Sequence, residues 1–243
     1  MRIGIIGTGT IATAVVEGLA GLGHQITVSE RSAEKAERLA ATFTEVTVAS
    51  NAGVIAQSDV VFVGLMAEVA ADVLGPLTLR DDQTVISLMG GLSLSEVALL
   101  VAPATADAVI IPFPAIATGG SAILVRGETA LIRALFAPRN TLCAVSSDEE
   151  LSAYLCAQAV LSPVVKLVAD AASWVSADAQ SAGQAEAFLR HLVGSSLLGS
   201  ACAPLLKALD TPGGYNQRLL HHMGAGGMSK NLVAGLNTLK DDR

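Results

Sequence analysis

"RIGIIGTGTIATAVVEGL", residues 2–19, decides the fold. An apolar run of strand length leads into Gly7-x-Gly9-x-x-Ala12, and a helical pattern follows at once. In such a strand–turn–helix, the first glycine permits the tight turn and the second lets the backbone approach a pyrophosphate. The small third residue keeps the helix close to the strand. First-turn N–H groups and the positive end of the helix dipole favour a phosphate. Gly7, Gly9, Thr10, Ile11 and Ala12 are therefore expected to hold a dinucleotide, against the competing reading of a structural glycine turn. The motif alone is weakly diagnostic, and its weight comes from what surrounds it.

Outward from it, short apolar strands alternate with helical patterns as far as residue 145. Strands are predicted at "QITVSE" (25–30), "EVTVA" (45–49), "DVVFVGL" (59–65), "TVISLM" (84–89) and "AVIIPFP" (108–114). Helices are predicted between them, at 10–23, 32–43, 51–57, 67–77 and 93–101. This order implies a parallel sheet with helices on both faces, a Rossmann-type domain over residues 1–146. "SAILVRG" (121–127) and "TLCAVS" (141–146) read as edge strands around the helix 128–137.

From Ser147 the periodicity changes. Residues 147–177 read as one long helix with a kink at Pro163, followed by helices over 182–209 and 216–238. These helices are apolar on more than one face, and three of them in so short a segment cannot bury one another well. Residues 147–243 are thus expected to form an all-α domain that carries the substrate and pairs with a second copy. Pro212-Gly213-Gly214 interrupts the helical pattern, and the simplest reading of it is a helix–helix connection.

Bulk properties narrow the function. The chain of 243 residues is 51% hydrophobic, 15% charged and 3% aromatic, and 15 Lys+Arg against 22 Asp+Glu leave a net charge of −7. With no basic stripe, nucleic acid is not an expected partner. Cys143, Cys156 and Cys202 follow no metal or redox spacing and read as buried free thiols. His221 and His222 are adjacent and do not converge on one ion, so no metal is expected. Glu17 and the regular glycines argue against a signal peptide. No other stretch reads as membrane-spanning, so a cytoplasmic protein without a membrane partner is expected.

In folds of this kind ligands bind at the carboxyl ends of the strands. The second strand should end near Glu30, where the adenosine ribose is read. Glu30 suits a free 2′-hydroxyl and NAD, whereas Arg31 with Ser29 and Ser32 suits a 2′-phosphate; NADP is the preferred expectation and NAD the alternative. Asn51, Leu65, Met66 and Gly90 follow the next strands and join the cofactor group. Pro114, in a loop whose prolines fix an extended backbone, is placed beside the nicotinamide.

With these pieces placed, the sequence resembles the pyrroline-5-carboxylate reductase family. The likeness rests on the glycine motif, "SERSAEKAERL" (29–39), "ISLMGGL" (86–92), "IPFPAIATGGSAILV" (111–125) and "DTPGGYN" (210–216). It implies hydride transfer from NAD(P)H to the C=N bond of a cyclic imine, with a helical domain intertwined with a second subunit. It also places Ser162, Thr211, Gly213, Gly214, Tyr215 and Asn216 at the substrate; for imine reduction, Tyr215 or Asn216 is expected to donate to the ring nitrogen or to orient a water. The Gly213 and Gly214 N–H groups would take a carboxylate; in the plainer reading Tyr215 packs and Asn216 caps the last helix. The family's Ser-Gly-Ser-Gly-Pro-Ala-Tyr becomes "AVLSPVV" (159–165), and its Thr-Thr after Pro-Gly-Gly becomes Tyr215-Asn216. Two other functions compete. In one, Lys166 among apolar neighbours polarises an oxygen, as in β-hydroxyacid dehydrogenases, unless Asp170 merely pairs with it. In the other, the protein is a non-catalytic NAD(P)-binding sensor.

Overall fold

A computed structural model describes residues 1–137, 139–176 and 182–241. The chain divides into two compact units, Met1–Leu151 and Ser152–Arg243.

The first unit is built on one eight-stranded sheet. Its strands are β1 (Arg2–Ile6), β2 (Gln25–Ser29), β3 (Val46–Ala49), β4 (Val60–Val63), β5 (Thr84–Ser87), β6 (Thr105–Pro112), β7 (Ala122–Gly127) and β8 (Thr141–Val145). Their order across the sheet is β3-β2-β1-β4-β5-β6-β7-β8. The strands from β3 to β6 are parallel, whereas β7 runs antiparallel to β6 and β8 parallel to β7. The chain moves outward from β1 to β3, then returns to β1's other side with β4, so a crevice opens at the carboxyl ends of β1 and β4. Helices α1 (Thr10–Leu19), α2 (Ala33–Thr42), α3 (Asn51–Gln57), α4 (Ala67–Leu74) and α5 (Leu94–Val101) make the crossovers, and α6 (Ala130–Phe136) joins β7 to β8. Ser93 begins α5 with a reciprocal cap, its hydroxyl accepting from the Glu96 N–H while the Glu96 carboxylate accepts from the Ser93 N–H.

Every residue of β4 is buried, because central parallel strands are covered on both faces. Ile3, Ile5, Val15, Leu19, Val28 and Ile110 belong to the same core, in which Phe62 meets Phe136 edge to face at 6.2 Å. Two expectations need correction here. Of the two strands expected at an edge, β8 is one and β7 is not, because β7 is paired on both sides. The loop after β6 is not extended. Pro112 ends the strand, and Pro114 starts a tight 3-10 turn over Pro114–Ala117, its fixed φ suiting a first helical position. That turn packs on α1 at Gly18, where a Cβ would sit 2.5 Å from the Ile116 carbonyl oxygen.

Helix α7 (Asp148–Ala157) leads to α8 (Leu161–Ser176), α9 (Ala182–Gly199), α10 (Cys202–Leu209), α11 (Tyr215–Ala225) and α12 (Met228–Asp241). The predicted long helix is broken by a 3-10 turn at Gln158–Val160. Pro163 has no N–H for the Ala159 carbonyl and crowds it, so the α pattern yields just upstream; the predicted end at Ala177 lies outside the described residues. The predicted helix 182–209 is two helices, interrupted at Ser200 and Ala201. The predicted helix 216–238 is also two, because Gly227 takes a positive φ of 86°.

Among the described residues of the second unit, the buried ones are Cys156, Ala172 and Ala185, while Trp174, Phe188, Leu198 and Leu219 are more than half exposed. Helices α10, α11 and α12 bury no residue. The three cysteines are free, but only Cys156 is buried; Cys143 is half-buried and Cys202, on uncovered α10, is exposed. The span Asp148–Val175 is, by length and composition, long and apolar enough to cross a bilayer, which corrects the expectation that no stretch after the N-terminal run has that character. Lys166 and Asp170 pair within it at 2.5 Å.

Candidate functional site

The glycine loop sits where β1 feeds α1. Gly7 has a φ of 91°, and a Cβ there would lie 2.4 Å from the Gly64 carbonyl oxygen, so backbone packs on backbone. Gly64, just after β4, is closed in its turn: its Cβ would lie 3.0 Å from the Ala12 Cβ. Small residues at 7, 12 and 64 thus let α1 seat directly above the β1–β4 pair. Gly9 differs. It has an ordinary φ of −68°, and a Cβ there would meet nothing within 4 Å. The space beside it is open.

Gly9 is also the residue that begins α1, and it has no side chain with which to cap it. The N–H groups of Thr10, Ile11 and Ala12, in the first turn of a helix, therefore have no intrahelical acceptor. Thr8, between the glycines, is 1% exposed, and its hydroxyl is buried without a hydrogen-bond partner among the described residues. Such a group wants a polar partner from outside the protein. A shape open at Gly9, uncapped donors and an orphaned hydroxyl fit an anionic diphosphate.

The loop is tied to the next strand. The Gly7 N–H donates to the Ser29 hydroxyl at 2.8 Å, and Ser29 is fully buried at the end of β2. Ser29 is therefore turned into the protein, away from the flank of Arg31 expected of it. Glu30, Arg31 and Ser32 follow at once and are exposed. Ser32 begins α2 without capping it through its side chain, so its hydroxyl stays available, and exposed Lys35 lies in the first turn beyond. No ion pair among the described residues engages Glu30, Arg31 or Lys35.

The remaining cofactor candidates reach the same sheet edge. Asn51 is half-buried and opens α3 after β3, next to Ser50, whose hydroxyl accepts from the Gly53 N–H. Leu65 and Met66 follow β4; the Leu65 side chain lies over Gly7, and Met66 is 69% exposed where it begins α4. Gly90 follows β5, beyond Ser87, whose buried hydroxyl accepts from the Met89 N–H. Pro114 is exposed at the end of β6. One sheet edge therefore gathers all thirteen cofactor candidates. Sequence reasoning missed Thr8, Gly64, Lys35 and the inward role of Ser29. A glycine directly after the fourth strand was the available signal for Gly64, since a strand beside a GxGxxA helix needs a residue without a side chain.

The substrate candidates lie in the second unit. The turn before α11 holds Thr211, Gly213, Gly214, Tyr215 and Asn216, whereas Ser162 is exposed on α8 and shares no hydrogen bond with them among the described residues. The Gly214 N–H donates to the Thr211 carbonyl at 2.9 Å. The Gly213 N–H donates to Gln217 Oε1 at 2.9 Å, and Gln217 Nε2 donates to Asp210 Oδ1 at 2.9 Å. The two donors expected to be open for a carboxylate are both taken. Tyr215 does not pack, being 90% exposed. Asn216 does not cap α11, which begins at Tyr215 after Gly214. Lys166 is not enclosed by apolar neighbours either: its side chain is 72% exposed in the pair with Asp170.

Residues 2–91 match the family model described as NADP oxidoreductase, coenzyme F420-dependent. No curated relative matches the chain. Among solved structures, a 1-pyrroline-5-carboxylate reductase from Streptococcus pyogenes is similar with a TM-score of 0.85 at 23% identity, covering 100% of this chain and 97% of that one. The pyrroline carboxylate reductase of Plasmodium falciparum, solved with NADP bound, gives a TM-score of 0.81 at 13% identity, covering 100% and 96%. A reductive aminase from Aspergillus terreus, solved with NADPH4, cyclohexanone and allyl amine, gives 0.60 at 22% identity, covering 99% and 91%. From its glycine loop to its last helix, the chain has the fold of the pyrroline-5-carboxylate reductases.

Proposed function

We propose that the protein is an NADP(H)-dependent reductase of cyclic imines that works as a homodimer. The observation that carries the cofactor half is the uncapped first turn of α1 beside the open space at Gly9. Gly7, Gly9, Thr10, Ile11 and Ala12 would hold the diphosphate through backbone N–H groups. Arg31 and Ser32 would hold a 2′-phosphate, with Glu30 turned to solvent, and Asn51, Leu65, Met66, Gly90 and Pro114 would line the rest of the sheet edge. A reduced nicotinamide bound there supplies a hydride, which together with one proton converts C=N to CH–NH.

The substrate half is supported by the fold shared with imine-reducing enzymes and by the Pro-Gly-Gly turn before α11. A protonated imine already attracts hydride, so the protein's work is to position it, exclude water and accept a hydrogen bond from its N–H. Tyr215 and Asn216, exposed at the start of α11, would provide that contact, with Ser162 and Thr211 completing the polar lining. Dimerisation is supported by the apolar surface of the second unit. Pro163, Val164, Leu167, Leu232, Leu236 and Leu239 line an apolar groove of about 740 Å³ between α8 and α12, and contiguous exposed apolar surface is where partners dock.

The test is NADPH oxidation by purified protein across cyclic imines, alongside NADP+ reduction across 3-hydroxy acids. Turnover of cyclic imines is expected. Turnover confined to 3-hydroxy acids and lost in Lys166→Ala would transfer the assignment to a β-hydroxyacid dehydrogenase. Saturable NADPH binding with no turnover on any compound would make the protein a sensor.

A further inference from the structure

Residues 210–217 are wired together in a way that bears on which imine is accepted. The Gly213 N–H, which a positive φ of 75° turns out of the helical path, ends on Gln217 Oε1. The same amide group donates from Nε2 to Asp210, so the glutamine is fixed at both ends and cannot swing away without breaking two bonds. The Gly214 N–H is spent on Thr211 within the turn. Neither glycine before α11 thus has a free N–H, and the carboxylate of Asp210 is tied to the same turn.

From this arrangement we infer that the substrate is a cyclic imine without a carboxylate group, and that Gln217 and Asp210 set this specificity. The inference rests on the imine-reductase reading above. A substrate carboxylate held by the Gly213 N–H would have to displace Gln217, and one held by the uncapped N–H groups of Tyr215, Asn216 and Gln217 would lie near the negative charge of Asp210. Both effects reject it, since specificity is built as much from repulsion and pre-occupied donors as from attraction. An uncharged ring meets neither obstacle, and its protonated nitrogen is drawn by the same carboxylate. Gln217 and Asp210 act through the turn and are positioning residues. The nearest basic residues along the chain, Lys207 and Arg218, are exposed, and Arg218 is the alternative seat for a carboxylate.

Initial rates of NADPH oxidation by the purified full chain decide the matter, with 1-pyrroline and 1-pyrroline-5-carboxylate as paired substrates. We expect kcat/KM to favour 1-pyrroline by at least about tenfold. In Gln217→Ala, which frees the Gly213 N–H, the ratio should move several-fold toward the carboxylated imine, chiefly through its KM. Asp210→Asn should move it the same way. Preference for the carboxylated imine in the wild type would overturn the inference while leaving the reductase assignment intact. If that preference vanished in Arg218→Ala, carboxylate recognition would pass to the guanidinium. Turnover of neither imine, with NADPH still bound, would overturn the reductase assignment and this inference with it. Circular dichroism of the variants identifies any that fails to fold, and for these the wild-type ratio alone decides.

Discussion

The hydroxyl of Ser29, at the buried end of β2, accepts a 2.8 Å hydrogen bond from the Gly7 N–H at the end of β1. One side chain thereby fixes the first peptide of the cofactor loop. Removing it in Ser29→Ala would leave a buried N–H without an acceptor, at a cost of about 1–3 kcal/mol. A fall of that size in urea-unfolding free energy is expected, accompanied by weaker NADPH binding in a fluorescence titration. Unchanged stability with normal binding would show that the loop holds itself.

Gly7 and Gly9 should separate structure from binding. In Gly7→Ala the new Cβ meets the Gly64 carbonyl in a backbone conformation that side chains resist, costing more than about 3 kcal/mol. In Gly9→Ala the Cβ enters open space, so stability should stay within about 0.5 kcal/mol of the wild type. NADPH affinity should nonetheless fall at least about tenfold, a change of about 1.4 kcal/mol. Paired thermal melts and NADPH titrations check both. Normal NADPH affinity in Gly9→Ala would remove the diphosphate from the loop.

Arg31 should discriminate between cofactors. A hydrogen bond to a charged phosphate contributes about 1.5–3 kcal/mol, so Arg31→Ala should weaken NADPH by roughly 10- to 150-fold. NADH, which lacks the 2′-phosphate, should be barely affected. Equal losses for the two cofactors would argue that Glu30, not Arg31, reads the ribose.

The exposed apolar side chains of the second unit predict that stability depends on concentration. Association stabilises the folded form by mass action, so the Tm should rise as protein concentration increases. Leu198, 92% exposed on α9, and Trp174, 76% exposed on α8, are the probes. Leu198→Arg or Trp174→Glu should shift the sedimenting species toward monomer and lower the Tm. A wild type that sediments as a monomer at all concentrations would leave the apolar faces to some other partner.

The sequence by itself determined the Rossmann-type half. Strand and helix periods, together with glycines whose spacing has a local cause, carry that information within a few residues of each element. Gly7, Gly9 and Ala12 could be assigned separate roles before any coordinate was known. Reading along the chain did less well where a contact crosses it. That Ser29 belongs to Gly7, that Gly64 makes room for Ala12 and that the Thr8 hydroxyl has no partner among the described residues all depend on β1, β2 and β4 lying side by side. The helical half was legible as helical, but not in its breaks at Gln158–Val160, Ser200–Ala201 and Gly226–Gly227, where one proline ring or one positive φ outweighs a favourable period. At the Pro-Gly-Gly turn the sequence showed two glycine N–H groups near a helix start. That Gln217 reaches back four residues to take one of them is a local contact at the head of α11, set by a side-chain rotamer that periodicity does not encode, whereas the pairing of Ser29 with Gly7 needed the sheet to bring two distant segments together.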